Sequence, residues 1–290
     1  MDSDGICLEF NVPENDPAVA YLKNRLDKFH WNTEISNIEN GCIFIITGSV
    51  DSYRMAAEKF HLRKKCNDVP PFQPFNCDNK QDFIHFDAGA DQFTSAEKIF
   101  LIKKELDHFR ADENEKVIPG HHDAVLYKGK SILRRLISHG IVTQIQAIHN
   151  RETVKKMRGS WLKSFSIGHI IKQPIDELDK YFGLEMGLYF NFVQHYGIGL
   201  FVLAIFILIL MLLGQGQSSL ISVITIVWSF VWLYSWRGAE AKRSYENGSL
   251  NTIGRGWEEA RPEYFGPLSK NEVWTRSLIS CSMILSMIHA

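Results

Sequence analysis

The feature that most constrains this 290-residue chain is a long segment without formal charge. From Met186 to Trp236 there is no Asp, Glu, Lys or Arg, and a polar, glycine-rich stretch at 214–219 divides the segment into two apolar halves. A membrane-spanning helix needs about 20 residues at a rise of about 1.5 Å each. Each half, extended by a few neighbouring residues, meets that length. The sequence therefore predicts two transmembrane helices joined by a short turn.

Aromatic residues flank both predicted spans, where an interfacial belt is expected. They are Tyr189, Phe190, Phe192 and Tyr196 before the first span, and Trp232, Tyr234 and Trp236 at the end of the second. The alternative is a buried helical hairpin within a large soluble protein. The rest of the chain is too small to surround two such helices on all sides, which favours the membrane.

Basic residues predict the orientation of the hairpin. They occur on both sides of it and are missing from the connecting turn: Arg151, Lys155, Lys156, Arg158, Lys163, Lys172 and Lys180 before it, and Arg237, Lys242, Arg243, Arg255, Arg261, Lys270 and Arg276 after it. The positive-inside rule then places both ends of the hairpin in the cytosol and the turn outside or in a lumen. The glycosylation sequon at Asn247 would face the cytosol and is expected to be unused.

Inside the hairpin the polar candidates are Gln194, His195 and Ser222. Polar side chains in membrane helices tend to face other helices. His195 lies near the predicted interface, so a structural role is expected for it rather than gating. The hairpin contains no carboxylate. It therefore offers no site for a hard cation such as calcium, which prefers several oxygen ligands with negative charge.

Charge and cysteine usage exclude several classes of protein. The net charge of -1 and the pI of about 6.8 argue against a nucleic-acid binder, because such proteins are normally more basic. None of the five cysteines forms a C-x-x-C pair, which argues against zinc-ribbon and thioredoxin-type folds. Reduced thiols in a cytosolic domain are expected instead.

Two short motifs resemble functional sites without completing them. Lys128-Gly129-Lys130-Ser131 is similar to the end of a phosphate-binding loop, but Ala124 stands where the pattern needs glycine, so a turn and a helix N-cap are expected. His121-His122-Asp123 lacks further metal ligands at suitable spacing, so a polar loop is expected. With no nucleophile or metalloprotease motif, the chain is not expected to be an enzyme, and no catalytic, cofactor-binding or metal residue is predicted.

The first part of the chain, residues 1–174, mixes strand and helix signals. A strand at Ile6–Val12 precedes a helix with Asp16 as its N-cap and Pro17 at its first position. A β-hairpin at 34–47 and a helix capped by Asp51 or Ser52 and running to about Leu62 follow. With a further strand near Phe83–Phe86, this order suits a cytosolic α+β domain of the ferredoxin-like type.

A second cytosolic block is predicted between residues 94 and 165. A capping box at Thr94–Glu97 opens a helix to about Arg110, and Ser131 caps a short helix that ends at Gly140. A strand at Ile141–Ile148 and a basic helix from about Glu152 to Phe165 follow. That helix carries Lys155, Lys156, Met157, Arg158, Trp161 and Lys163, and either attracts anionic headgroups or is an ordinary solvated face.

These signals divide the chain into four parts. A cytosolic domain at 1–174 is followed by an amphipathic lead-in with both membrane helices at 175–236 and by a cytosolic loop at 237–276. The apolar residues of 277–290 are too few to cross a bilayer and are expected to be a partial third membrane helix. An interfacial or protein-packed tail is the alternative.

Several motifs in fixed order resemble the anoctamin family, most closely the branch of anoctamins eight and ten. The likeness covers roughly 93–274, and the first ninety residues match only in general pattern. Two departures are Asn247, where the family often has tryptophan, and a compressed loop after Tyr264. The motifs are Phe93–Glu97, Lys104–Leu106, Val117–Gly120, Leu126–Leu136, Gly140–Val142, Gln173–Asp176, Tyr181–Gly183, Gly187–Phe190, Trp236-Arg237, Ala241, Tyr245 and Arg261–Tyr264.

The resemblance implies a part of a dimeric, ten-helix membrane protein that acts as a calcium-activated chloride channel or a calcium-dependent phospholipid scramblase. The calcium-binding carboxylates and the groove of the family lie on later helices, so the chain is expected to be an N-terminal fragment without pore or calcium site. The lipid bilayer is the expected partner, with a homodimer at full length and no nucleic acid. The expected location is the plasma membrane or the endoplasmic reticulum, with a cytosolic N-terminus. The alternative is a membrane-anchored regulatory or tethering module that pairs with full-length subunits.

Overall fold

The computed structural model describes residues 4–39, 41–66, 72–79, 82–83, 92–162, 173–214, 219–248 and 274. An α/β domain precedes two long apolar helices, as predicted. The elements in chain order are β1 (Gly5–Phe10), α1 (Pro17–Lys28), β2 (Trp31–Ile38), β3 (Gly41–Gly48), α2 (Val50–Lys59), β4 (Arg63–Lys65), β5 (Phe72–Pro74), α3 (Ser95–His108), β6 (Val117–Ile118), β7 (His121–Val125), α4 (Ile132–Ser138), β8 (Val142–Ile148), α5 (Arg151–Leu162), α6 (Ile175–Phe182), α7 (Leu184–Leu212) and α8 (Ser219–Glu246).

A four-stranded antiparallel sheet with the order β2-β3-β1-β8 forms the centre of the α/β domain. Alternate residues of the two central strands are buried, as expected for a sheet covered on one face. Leu8 of β1 lies opposite Phe44 of β3, and both are completely buried. The predicted β-hairpin is confirmed, with Ile38 paired to Gly41.

The fourth strand of the sheet differs from the prediction. Phe83 forms only an isolated bridge with Cys66, and residues 84–86 lie outside the described part of the chain. The fourth strand is instead β8, which pairs with the side of β1 opposite β3; the sequence predicted β8 as a strand but in a second block. Buried residues of α3 and α4 share one core with the sheet, so the two predicted blocks form a single domain.

The helix N-caps follow the sequence with one exception. Asp16 accepts a hydrogen bond from the N–H of Ala18 at 2.8 Å, and Thr94 and Glu97 form the predicted capping box. Ser131 caps α4, as predicted. The cap of α2 is Ser49 rather than Asp51 or Ser52, because Ser49 is the last residue with extended backbone before the helix.

The helices α7 and α8 are long and apolar enough to cross a membrane, and almost none of the residues in their apolar segments are buried within the chain. At about 1.5 Å per residue, the 29 residues of α7 extend about 44 Å, whereas the hydrocarbon layer is about 30 Å thick. The helix α7 is therefore longer than the hydrocarbon layer is thick. Apart from Trp274, the chain beyond residue 248, with the predicted partial third helix, lies outside the described residues.

Candidate functional site at the base of the membrane hairpin

The two membrane helices approach each other closely at Gly199. A Cβ atom added there would lie 2.4 Å from Cδ1 of Trp232 in α8, a distance that no side chain can occupy. Two residues earlier, Gly197 has open space around it. Small residues at helix crossings in membranes allow the backbones to approach, and Gly199 has this role here.

An aromatic cluster surrounds this crossing on the side of the α/β domain. The indole N–H of Trp232 donates to the backbone carbonyl of His195 at 3.3 Å, and the His195 ring lies 5.8 Å and 5.7 Å from the rings of Trp232 and Trp236. Phe192 and Tyr196 pack edge-on against Trp232. These contacts give His195 the structural role that the sequence predicted.

The other two predicted polar residues of the hairpin behave differently from the prediction. The side-chain oxygen of Gln194 accepts a hydrogen bond from the backbone N–H of Gln173 at 3.2 Å, so it reaches the chain before α6 rather than another membrane helix. Ser222 is exposed on α8. Gln194 lies in the first half of α7. The chain just before α6 is close enough there for its backbone to reach the Gln194 side chain.

A charged cluster fastens the lead-in helix α6 to the end of α8. The Arg243 guanidinium lies 2.7 Å from Asp176 and 2.6 Å from Asp179, and the amide of Asn247 donates to Asp179 at 3.3 Å. The Asp179 side chain is only 13% exposed. Burial raises the pKa of this carboxyl above its usual range, despite the opposing attraction of Arg243. Together, Asp176, Asp179, Arg243 and Asn247 are called the junction cluster below.

The same lead-in helix also packs on the start of α7. A Cβ atom added to Gly187 would lie 1.4 Å from Oδ1 of Asp179, so only glycine permits this approach. Leu178 and Tyr181 of α6 form a small apolar cluster with Met157 of α5, and Phe190 of α7 packs against it. Tyr181 also lies 3.2 Å from Nδ1 of His149, at the end of the sheet. The helix α6 thus connects the α/β domain to both membrane helices.

The first incomplete motif has the expected structural role, whereas the second does not: His121, His122 and Asp123 begin strand β7 and are not the polar loop that the sequence predicted. Ser131 accepts a hydrogen bond from the N–H of Arg134 and so acts as an N-cap. The ammonium group of Lys128 forms an ion pair with Glu113. His121 lies 3.3 Å from Asp16, the N-cap of α1, while His122 and Asp123 are exposed. Within the described residues no group of three or more His, Cys, Asp or Glu could hold a metal ion.

Calcium does not fit the carboxylates of the junction cluster. Asp176 and Asp179 already bind Arg243, whose positive charge repels a cation at the same oxygens. Asp179, Gly187 and Gly199 were not predicted from the sequence as important positions. Gly187 begins the motif Gly187–Phe190, which resembles the family. The contact between Asp179 and Arg243 joins distant parts of the chain, so neither residue has a local sequence signal.

An α/β domain fastened to the base of an apolar helical hairpin defines the class: a membrane protein with its soluble domain on the basic side of the hairpin. Residues 178–289 match the family model described as anoctamin, calcium-activated chloride channel. Human anoctamin-10 is 35% identical over 260 residues, which is 88% of this chain and 38% of the relative. The chain belongs to the anoctamin family.

Further relatives place the chain in the branch of anoctamins 8 and 10. Mouse anoctamin-10 is 34% identical over 292 residues, which is 93% of this chain and 43% of the relative. Mouse anoctamin-8 is 24% identical over 234 residues, which is 77% of this chain and 21% of the relative. The chain spans about two fifths of the length of the anoctamin-10 proteins it matches. The family model describes a channel rather than an enzyme.

Proposed function

We propose that this chain forms the cytosolic domain and the first two membrane helices of an anoctamin-type protein, whose complete form carries out calcium-dependent chloride transport or phospholipid scrambling. The observation that carries the proposal is the family match from residue 178 to 289, which begins in α6 and continues through α7 and α8. In this arrangement the chain positions the first membrane helices through the junction cluster and contributes no calcium ligand or pore residue.

The proposal includes four parts of the chain and their arrangement. The cytosolic domain comprises 1–174 with a sheet of the ferredoxin-like type, which its antiparallel β2-β3-β1-β8 order supports. The lead-in and both spans comprise 175–236, a cytosolic loop 237–276, and the beginning of a third membrane segment 277–290. The complete protein is a homodimer in the plasma membrane or the endoplasmic reticulum.

A chimera tests the functional proposal. The matching segment of human anoctamin-10 is replaced by this chain, and calcium-dependent chloride and lipid flux are measured in liposomes beside the unchanged relative and beside the 290-residue chain alone. The chimera is expected to keep whichever flux the relative shows, and the chain alone is expected to show none. Calcium-dependent flux from the chain alone, or a folded chimera that has lost the relative's flux, would contradict the proposal.

Glycosylation tests the proposed cytosolic N-terminus. The natural sequon at Asn247 lies beside Asp179 on the side of the α/β domain, so it is expected to stay unmodified. A sequon introduced into a lengthened turn around residues 215–218 is expected to be glycosylated, because the turn faces the lumen. The measurement is a gel shift that is reversed by a glycosidase. Modification at Asn247 with none at the turn would reverse the orientation.

A further inference from the structure

One side of α5 is held against the base of the hairpin. Met157 is buried together with Leu178 and Tyr181 of α6, and Val154 and Phe190 pack against this cluster. Val154 and Met157 are three positions apart and therefore lie on one side of the helix. Asn150 caps the helix through its side-chain oxygen, which accepts from the N–H groups of Glu152 and Thr153. The Val154 and Met157 side of α5 thus faces the apolar cluster to which Phe190 of α7 also belongs.

Beside this packed side runs a row of exposed cations. Arg151, Lys155 and Arg158 are all exposed, and their i, i+4, i+7 spacing places them in one line along the helix. We call these three residues the basic stripe. Within the part of the chain that the structure describes, none of the three forms an ion pair. Although Glu152 lies beside Arg151 on the same helix, the stripe is therefore a concentration of positive charge that no ion pair among the described residues neutralises.

The position of Phe190 gives the depth of α5 relative to a bilayer. The helix α7 exceeds the hydrocarbon thickness by about nine residues. The C-terminal end of α7 at Leu212 is apolar, whereas its first turn contains Glu185. The residues outside the hydrocarbon layer are therefore those at the N-terminal end, up to about residue 192. Phe190 then lies at the level of the lipid headgroups. Val154 and Met157 of α5 share an apolar cluster with Phe190, which brings the basic stripe close to this level.

We infer that the basic stripe of α5 binds the headgroups of anionic phospholipids in the leaflet next to the α/β domain. The occupant follows from the positive charge of the stripe and from its closeness to the headgroup level. Met157 points into the protein, so the binding is electrostatic and involves no insertion of this side chain into the lipid. This inference goes beyond the proposed transport function, since it requires only that the hairpin be inserted in a membrane.

Lysine footprinting of the full chain in nanodiscs tests the inference. Discs of phosphatidylcholine alone are compared with discs that contain roughly one third phosphatidylserine, and the acylation rate of Lys155 is measured by mass spectrometry. Phosphatidylserine is expected to slow acylation of Lys155 about fivefold, the change that corresponds to one basic residue held at an anionic surface. Lys23, which is exposed on α1 of the α/β domain, is expected to change little. High salt is expected to abolish the difference.

Two charge-matched variants make the test specific. Arg151→Gln with Arg158→Gln leaves Lys155 as the reporter and is expected to reduce the phosphatidylserine effect to less than about twofold. Lys23→Gln with Lys28→Gln removes the same charge from α1 and is expected to keep the full effect. If the first variant unfolds α5, Lys155 reacts faster already in phosphatidylcholine discs, and Arg158→Gln alone then replaces it.

Three results would overturn the inference. These are equal Lys155 rates in both kinds of disc, equal effects of the two double variants, and protection that persists at high salt. Since the chain is already incorporated into the discs in every arm, such a result would leave the transport proposal intact. Conversely, loss of flux in the chimera would not alter the Lys155 rates.

Discussion

In the α/β domain Phe44 is completely buried, whereas Phe201 in the first membrane helix is 59% exposed. The same contrast holds for leucine, with Leu8 in the sheet fully buried and Leu212 in α7 79% exposed. Burial of apolar surface stabilises the first region because its solvent is water. The second region gains nothing from such burial, since lipid chains are as apolar as its side chains. Its packing depends instead on a glycine crossing and on the junction cluster.

The largest expected effect comes from a matched pair of truncations in the two regions. Phe44→Ala is expected to lower the free energy of unfolding of the α/β domain by about 3–5 kcal/mol, because it leaves a cavity beside Leu8 and Phe10. Phe201→Ala is expected to change it by less than about 0.5 kcal/mol. Hydrogen exchange of the β1 and β3 peptides in the full chain measures both. A similar loss for the two variants would remove the contrast between the regions.

The junction cluster is expected to give the next largest effect. Arg243→Met leaves Asp179 without its counter-charge, at an expected cost of about 2–3 kcal/mol for opening α6, measured as faster hydrogen exchange in that helix. The control is Lys242→Met, since Lys242 is 76% exposed and pairs only weakly with Glu246 at 3.8 Å. Adding Asp179→Asn to Arg243→Met is expected to recover part of the loss. No recovery would mean that the packing of Arg243, rather than its charge, holds α6.

Within the hairpin, Gly199 lies at the helix crossing whereas Gly197 has open space around it. Gly199→Ala is expected to cost about 1–3 kcal/mol in the association of α7 with α8, because the added methyl group meets the Trp232 ring. Gly197→Ala has open space and is expected to be neutral or slightly stabilising, by up to about 1 kcal/mol, through its helix propensity. Titration with SDS in mixed micelles measures the separation of the helices. Equal behaviour of the two variants would exclude a close crossing at Gly199.

The smallest effect concerns two carboxyl groups with opposite pH dependence. Burial opposes ionisation of Glu115, but hydrogen bonds from the Asp112 N–H and from Arg25 outweigh it, so its pKa lies below the usual 4.5. The stability that Glu115 contributes is therefore present above pH 4.5 and disappears as the pH falls through the lowered pKa. For Asp179, whose pKa is raised, protonation instead favours the folded state.

Substitution of Glu115 and of Asp179 distinguishes the pH dependence that each carboxyl group contributes. Glu115→Gln is expected to flatten the acid-side loss of stability in the α/β domain by up to about 1 kcal/mol, and Asp179→Asn is expected to leave that domain's profile unchanged. Urea unfolding at a series of pH values, followed by hydrogen exchange of α1 and α6 peptides, reads the two regions separately. A Glu115→Gln variant with the wild-type pH profile would contradict the assignment.

Local sequence signals predicted most of the elements and little of their long-range arrangement. The capping box at Thr94, the cap at Asp16 and the hairpin at residues 38–41 depend on neighbouring residues, and all three are confirmed. The pairing of β1 with β8 joins residues more than 130 positions apart, so no local pattern could select β8 over the segment near Phe83. The same reason applies to Ser49, whose advantage over Asp51 lies only in its backbone conformation.

At the candidate site, too, local features were predicted and long-range contacts were not. The absence of charge from Met186 to Trp236 was sufficient to predict two membrane helices, and the resemblance identified the family. Lys155 and Arg158 were recognised as a basic segment, but only the burial of Met157 reveals which side of that helix is free. The contact of Asp179 with Arg243 depends on how the hairpin returns to its base, which the local sequence around either residue does not encode.

The pairing of β1 with β8 has a consequence for the order of events during synthesis. The first strand of the sheet must wait until Ile148 has left the ribosome before its second neighbour exists. Only the 35 residues of 149–183 then separate that point from Leu184, where the first membrane helix begins. At about 5–20 residues per second, this stretch is translated in about 2–7 s. Closure of the sheet therefore cannot begin until shortly before the nascent chain reaches the translocon, so a variant that folds slowly arrives at the membrane with an unfinished α/β domain.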